Sequence, residues 1–189
     1  SGADRVAMVK RVPGREDLIL PRPFAALDID GGVVSLLVKV VGEGTRWLAS
    51  SSAGDAVSIL VPLGRPWRIA ESGTAFLVAG GTGYAALHML ARRLHATGVD
   101  VRLIWGQANV SAFPDRAALA IDGIDVIDAS DDGSCGFGGT SVACLADILD
   151  DKPDGPGHVY GAGPVPMLRG LVALARDRGL SCQVSLEAR

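Results

Sequence analysis

The sequence predicts an α/β protein in two parts: a β-rich domain over residues 1–70, built as a truncated antiparallel barrel, and a doubly wound parallel-sheet domain over residues 71–189. Three observations predict it. Strand-like runs crowd the first 70 residues, broken by turn residues and one short helical stretch. After residue 74 strand-like and helix-like runs alternate, and strands separated by helices pair in parallel. Glycine-rich turns follow three of the later strands, which places them together at the carboxyl edge of that sheet.

The elements follow in order. RVAMVKRV (5–12) and VVSLLVKVV (33–41) read as strands. DIDGG (28–32) reads as a hairpin turn, with Asp28 and Asp30 as turn formers rather than catalytic acids. GTRWLASS (44–51) reads as a short helix after a glycine turn, and AVSILVPLG (56–64) as a strand closed by Pro and Gly. The boundary between the two parts falls near RIAESG (68–73). A strand at 75–79 then leads through glycines into a helix over 84–97, where Leu87, Leu90, Ala91 and Leu94 share one face and Gly98 ends the run. Further strands are expected at 99–105, 124–129, 158–162 and 181–186, with helical segments near 115–121, 140–150 and 166–178. The parallel sheet should hold about five strands.

Composition narrows the function. With 18 Lys+Arg against 21 Asp+Glu the net charge is -3, which gives no broad basic surface for nucleic acid. No apolar run reaches the roughly 18 residues of a membrane helix, and no signal pattern opens the chain, so a cytoplasmic protein is expected. Cys135, Cys144 and Cys182 are scattered, with no C-x-x-C pair, so no metal or cluster site is expected from them. His88 and His95 read as surface or core-edge groups, His158 as structural, and Trp47, Trp67 and Trp105 as too dispersed for a base-stacking platform. Packing is the expected job of Tyr84.

FLVAGGTGYAALHML (76–90) is a strand, a glycine turn and a helix. Gly80, Gly81 and Gly83 suit either a phosphate cradle at a helix N-terminus or a tight corner, because the strict G-x-G-x-x-G spacing is absent. SDDGSCGFGG (130–139) and GAGPVPM (161–167) fall at the same sheet edge. Three such turns together favour a nucleotide cleft over corner geometry alone.

The ordered set RPFA, VVGEGTRWL, PLG, AGGTGYAAL, SDDGSCGFGGT, VYGAGPVPML and CQVSLE resembles the electron-transfer subunit of two-subunit dihydroorotate dehydrogenases, in the ferredoxin–NADP reductase-like superfamily. The resemblance implies a FAD-binding β-barrel followed by an NAD-binding α/β domain, with FAD and NAD(P)H as cofactors. It implies electron flow from NADH through FAD to a [2Fe–2S] cluster and a redox partner. Arg22, Pro23, Phe24 and Ala25 then match the flavin motif Arg-Pro-x-Ser, with Arg22 on the FAD pyrophosphate. Gly42, Gly44 and Thr45 match the segment that cradles that pyrophosphate. Gly80, Gly81 and Gly83 match the NAD turn, Asp132, Gly133 and Ser134 a turn lining the same cleft, and Gly161, Gly163 and Pro164 the loop beside the nicotinamide.

The departures from the family lie along the redox path. Ala25 replaces a hydroxyl residue, Ala162 a cysteine, Ala86 a proline after the NAD glycines, and Ala108 an arginine for the nucleotide. The family's cluster cysteines would begin after CQVSLE, and about two barrel strands are expected to be missing at the other end. The function expected is a FAD-dependent NAD(P)H oxidoreductase passing electrons to a partner, with no catalytic residue assigned. The alternative is a repurposed scaffold for a non-redox step, such as a cyclisation in secondary metabolism, with flavin structural or absent. A homodimer, or an obligate partner chain, is expected through the β-rich half, with neither nucleic acid nor membrane as partner.

Overall fold

The computed structural model describes residues 6–11, 21–151 and 157–186. The first sheet is antiparallel, in the order β3-β2-β1-β4, with β1 Val6–Arg11, β2 Arg22–Asp30, β3 Val33–Leu36 and β4 Val57–Leu63. Gly31 and Gly32 both take positive φ, +53° and +83°, between paired Asp30 and Val33. That is what a two-residue hairpin loop demands, and it is why the chain turns there.

The strand expected over 33–41 ends at Leu36. Beyond it the backbone leaves the sheet so that Leu37 packs on the core of the α/β half, while Val40 and Val41 stay exposed. The chain then enters helix α1, Glu43–Ala49, one residue earlier than the helix expected over 44–51.

The second sheet has six strands, all parallel, in the order β10-β9-β5-β6-β7-β8. They are β5 Thr74–Gly80, β6 Asp100–Gln107, β7 Val126–Ser130, β8 Phe137–Gly138, β9 Gly157–Ala162 and β10 Ser181–Ser185. The two-residue β8 is the strand beyond the five expected; it forms because the glycine-rich turn after β7 folds back alongside it. Helix α2, Tyr84–Ala96, covers one face, where Leu87, Leu90, Ala91 and Leu94 meet Leu77, Leu103 and Tyr160. Helices α3, Ser141–Asp151, and α4, Val165–Asp177, cover the other, where Leu145, Leu149 and Leu171 meet Val78, Ile104 and Val159.

The helix expected near 115–121 is replaced by two single 3-10 turns, 110–112 and 117–119. The local chemistry explains this. Asn109 and Asp115 capture the N–H groups of Ala112 and Ala117 with their own side chains, and Phe113 is held extended ahead of Pro114. Gly123, at φ +76°, closes the segment before a helix can propagate.

The two sheets dock through β2 and α2. Ala25 and Leu27 pack on the core beneath α2, Asp28 pairs with Arg92 at 2.8 Å, and His88 Nδ1 lies 3.0 Å from the Leu27 carbonyl oxygen. The connecting stretch is pinned as well. The Trp67 indole donates to the Ala86 carbonyl, and the Tyr160 hydroxyl accepts from the Ala70 N–H and donates to the Arg68 carbonyl at 3.0 and 2.9 Å. Gln183 takes both the N–H and the carbonyl of Arg68. Among the described residues no helix is long and apolar enough to cross a membrane.

Candidate nucleotide-binding cleft

From β5 the chain winds outward through β6, β7 and β8, then returns to the opposite side of β5 as β9. The winding direction therefore reverses between β5 and β9, and crevices in open α/β sheets form at the carboxyl ends of such a pair. Both strands end there in glycine turns that lead straight into helices, so the N-terminal N–H groups of α2 and α4 converge on one place.

The glycines of these two turns do different work. A Cβ on Gly83 would overlap the Ala162 carbonyl, and one on Gly80 would sit 2.6 Å from Met167 Sδ. Gly163, at φ +155°, would place a Cβ 3.0 Å from the backbone of Gly80, and one on Gly161 would overlap Leu171. Gly80, Gly83 and Gly163 are required by close packing where the two turns meet, and Gly161 by the packing of β9 under α4. Gly81 differs: at φ +58° its Cβ position faces open space. It is the one glycine of the 80–83 turn with room above it for a ligand.

The turn is held by residues that the sequence did not single out for it. The Trp105 indole N–H donates to the Gly81 carbonyl at 2.8 Å. Tyr84 stacks on Trp105 with centroids 4.1 Å apart, and its hydroxyl donates to the Leu119 carbonyl at 2.6 Å. Burial pushes the Tyr84 phenol up to about 12, so it stays a donor at any ordinary pH. The tryptophans that looked dispersed are thus structural anchors: Trp105 for the glycine turn, and Trp67 for the linker, edge-on to Tyr160 at 5.7 Å. The available signal was the position of Trp105, at the carboxyl end of an apolar strand.

The turn after β7 forms the next wall. Buried Ser130 donates to the Cys135 carbonyl and accepts from its N–H. Asp132 accepts from the Ser134 N–H at 2.9 Å, and hydrogen bonding to Ser134 holds its exposed carboxyl below the usual range. The Ser134 hydroxyl accepts from the Val110 N–H, and Gly133 takes φ +72°. Asp132, Gly133 and Ser134 therefore brace the loops after β6 and β7 against each other.

In the first sheet, Arg22 opens β2 and its side chain lies across Gly44, where a Cβ would overlap the guanidinium. Gly42 is extended and has open space at its Cβ position. The Thr45 hydroxyl accepts from the Val41 and Gly42 N–H groups at 2.9 and 3.0 Å and donates to the Gly42 carbonyl. It shapes the turn from within. Pro23 is exposed, and Phe24 and Ala25 are half-buried. Of the departures, Ala162 is buried where the two glycine turns meet, Ala86 lends its carbonyl to Trp67, and Ala108 is exposed and accepts from the Asp132 N–H.

This architecture, an antiparallel sheet docked on a doubly wound parallel sheet, is shared with solved ferredoxin reductase-like structures. An NADH-dependent reduced ferredoxin-NADP oxidoreductase superposes with a TM-score of 0.82 over 100% of this chain and 67% of the other, at 23% identity. The ferredoxin reductase of carbazole 1,9a-dioxygenase superposes with a TM-score of 0.77 over 95% and 58%, at 18% identity. No family model matches the chain. Curated relatives narrow the class. The electron transfer subunit of dihydroorotate dehydrogenase B (NAD(+)) from Geobacillus thermodenitrificans is 34% identical over 184 residues, 95% of this chain and 69% of the relative. That from Caldanaerobacter subterraneus subsp. tengcongensis is 30% identical over 173 residues, 90% and 65%. The chain belongs to this family of dihydroorotate dehydrogenase B electron transfer subunits, and it spans about two thirds of the length of the relatives it matches.

Proposed function

We propose that the protein is a flavin-dependent NAD(P)H oxidoreductase that passes electrons to a partner. In this reading residues 1–70 hold FAD and residues 71–189 hold the nicotinamide dinucleotide. One observation carries it: two glycine turns and two helix N-termini meet at the switch point between β5 and β9. The phosphate ends of both cofactors find suitable residues. Arg22 lays its guanidinium across Gly44, two residues along the chain from the open Gly42, and Gly81 offers a left-handed turn with free space above it. FAD, when bound, supplies the chemistry that links hydride donors to electron acceptors. The chain's part is to fix the two phosphates, align the rings and keep water from the crevice.

A second reading has its own support. Ala25 and Ala162 put methyl groups where the family resemblance expects a hydroxyl and a thiol near the reacting ring. A scaffold that keeps its phosphate cradles and performs a non-redox step would look like this. The visible spectrum separates the two. Protein reconstituted with FAD is expected to be yellow and to bleach when NADH is added without oxygen. A yellow protein that NADH leaves unchanged favours a structural flavin, and a protein that takes up no FAD overturns both flavin roles.

For assembly, the reading is a homodimer or an obligate partner chain seated on the β-rich half. Ile29, Val33, Val40, Val41, Val57, Ile59 and Leu60 support it, as large apolar side chains exposed on that half by 36% to 74%. Light scattering at micromolar concentration is the check; a stable monomer that captures no partner chain removes the proposal.

A further inference from the structure

A doubly wound sheet normally covers each crossover with a helix. Between β6 and β7 this chain uses two 3-10 turns, and the face of β7 beneath them is left with a pocket of about 210 Å³. Its walls are Tyr84, Trp105, Leu119, Ile124 and Val126, with Arg116 and Asp128 at one side. Asp128 shares its β7 face with Val126 and Ser130, and it pairs in register with Trp105.

The carboxylate is half satisfied. Arg116 pairs with Oδ2, and the Cys135 thiol lies 3.8 Å from the same oxygen. Oδ1 is the one buried side-chain oxygen without a hydrogen-bond partner among the described residues. An unmet carboxylate oxygen in a low-dielectric wall is expensive, and a donor brought to it is correspondingly rewarded. Oδ1 has almost no solvent-accessible surface, and Arg116 is the charged side chain paired with the same carboxylate. The Arg116 side chain is 44% exposed and braced on Phe113 at 5.1 Å, so it is a wall that can swing outward.

We infer that this pocket binds a flat heteroaromatic ring of nucleobase size that carries an amino group, with the amino N–H donated to Asp128 Oδ1 and Arg116 as the movable wall. Size limits the class. A closed apolar cavity of about 150 Å³ already holds a benzene ring, and sites for drug-sized ligands begin near 300 Å³. The apolar and aromatic lining selects a flat ring, and the unpaired Asp128 oxygen selects a donor; Asp125, the other carboxylate of the lining, is exposed. The pocket adjoins the glycine turn, because Tyr84 follows Gly83 and Trp105 holds Gly81. The base can therefore come from the end of a dinucleotide held at that turn, a source that rests on the proposed function, or from a free nucleoside.

Calorimetry with adenosine and inosine tests the inference, since the two differ in having an amino group or a carbonyl at one ring position. Wild-type protein is expected to bind adenosine at least about tenfold more tightly than inosine, the penalty a site that reads a donor at the 6-position imposes on an analogue with an acceptor there. Asp128→Asn, whose amide can donate, is expected to reverse that order. Ala120→Trp, at an exposed position of the pocket mouth, is expected to abolish adenosine binding and leave the fold intact. Competition by NAD+ for adenosine identifies the dinucleotide as the source, and simultaneous binding identifies a separate nucleoside. Equal affinity for the two nucleosides, an unchanged order in Asp128→Asn, or no adenosine binding by folded protein overturns the inference. Bleaching of the flavin by NADH alongside any of these results leaves the proposed function standing.

Discussion

Gly83 of the β5–β9 crevice and Gly42 of the corner before α1 match the same kind of phosphate-holding turn, and the structure gives them opposite physical reasons. In the crevice, Gly80, Gly83 and Gly163 are small because another backbone or side chain occupies the space a Cβ would need. At the corner, Gly42 has nothing within 4 Å of its Cβ position and an extended backbone that any residue can adopt. A glycine that the fold requires says little about a ligand. A glycine that the fold does not require says more.

Four measurements break or sharpen that contrast. The largest effect belongs to Gly83→Ala, which drives a Cβ into the Ala162 carbonyl. It should cost about 3 kcal/mol or more of stability, the upper end of ordinary overpacking, read from denaturant midpoints. A midpoint shift equivalent to less than about 1 kcal/mol would mean the two turns are looser than they look. Next is Arg22→Ala, which should weaken FAD binding by about 1.5–3 kcal/mol with little change in melting temperature, as for loss of a charge-assisted hydrogen bond. Unchanged flavin occupancy would move the pyrophosphate elsewhere. Gly42→Ala should leave stability within about 0.5 kcal/mol of wild type, as at an open surface site, while lowering FAD affinity severalfold. If FAD affinity holds, the corner is only a corner.

The smallest effect concerns the join between the halves. Burial lowers the His88 pKa from its ordinary 6.5, against the opposing pull of the Leu27 carbonyl and Asp28. The unfolded chain then takes up a proton at a pH where the folded chain does not. Stability is therefore full above about 6.5 and falls as pH drops below it toward the folded value. His88→Gln should flatten that part of the pH–stability curve, and an unaltered curve would show that His88 does not contribute.

Much of the fold was legible because periodicity reports burial. After residue 74 the helices carry one-sided apolar patterns and the central strands continuous apolar runs, and the structure places each of them to within a few residues, apart from 115–121. That segment failed because Asn109, Pro114, Asp115 and Gly123 act locally, and local side-chain capture outweighs a weak helical pattern. The tail of 33–41 failed because an apolar run does not say which core it will join. Of the site, glycine positions were legible and their reasons were not, since a clash with Ala162 or Leu171 exists only after the strands are side by side. Trp105, Arg116 and Asp128 went unnoticed for a related cause: an indole, a guanidinium and a carboxylate have no sequence spacing in common until β6, β7 and their crossover bring them together.

The pinned linker has a consequence for how this molecule comes apart. Between two sheets one expects a slack tether, easily nicked and quick to exchange its amide protons. Here the Arg68 and Ala70 amides are held by Gln183 on β10 and Tyr160 on β9, the last two strands among the described residues. A ribosome releases residues 68–70 before it makes their anchors, which lie 90 and 115 residues further on, so the tether stays slack during that part of synthesis and is locked only once β9 and β10 have followed. Once locked, it opens no more readily than those strands do. Hydrogen exchange would then report the integrity of the far edge of the parallel sheet from a stretch that, by sequence position alone, belongs to neither half.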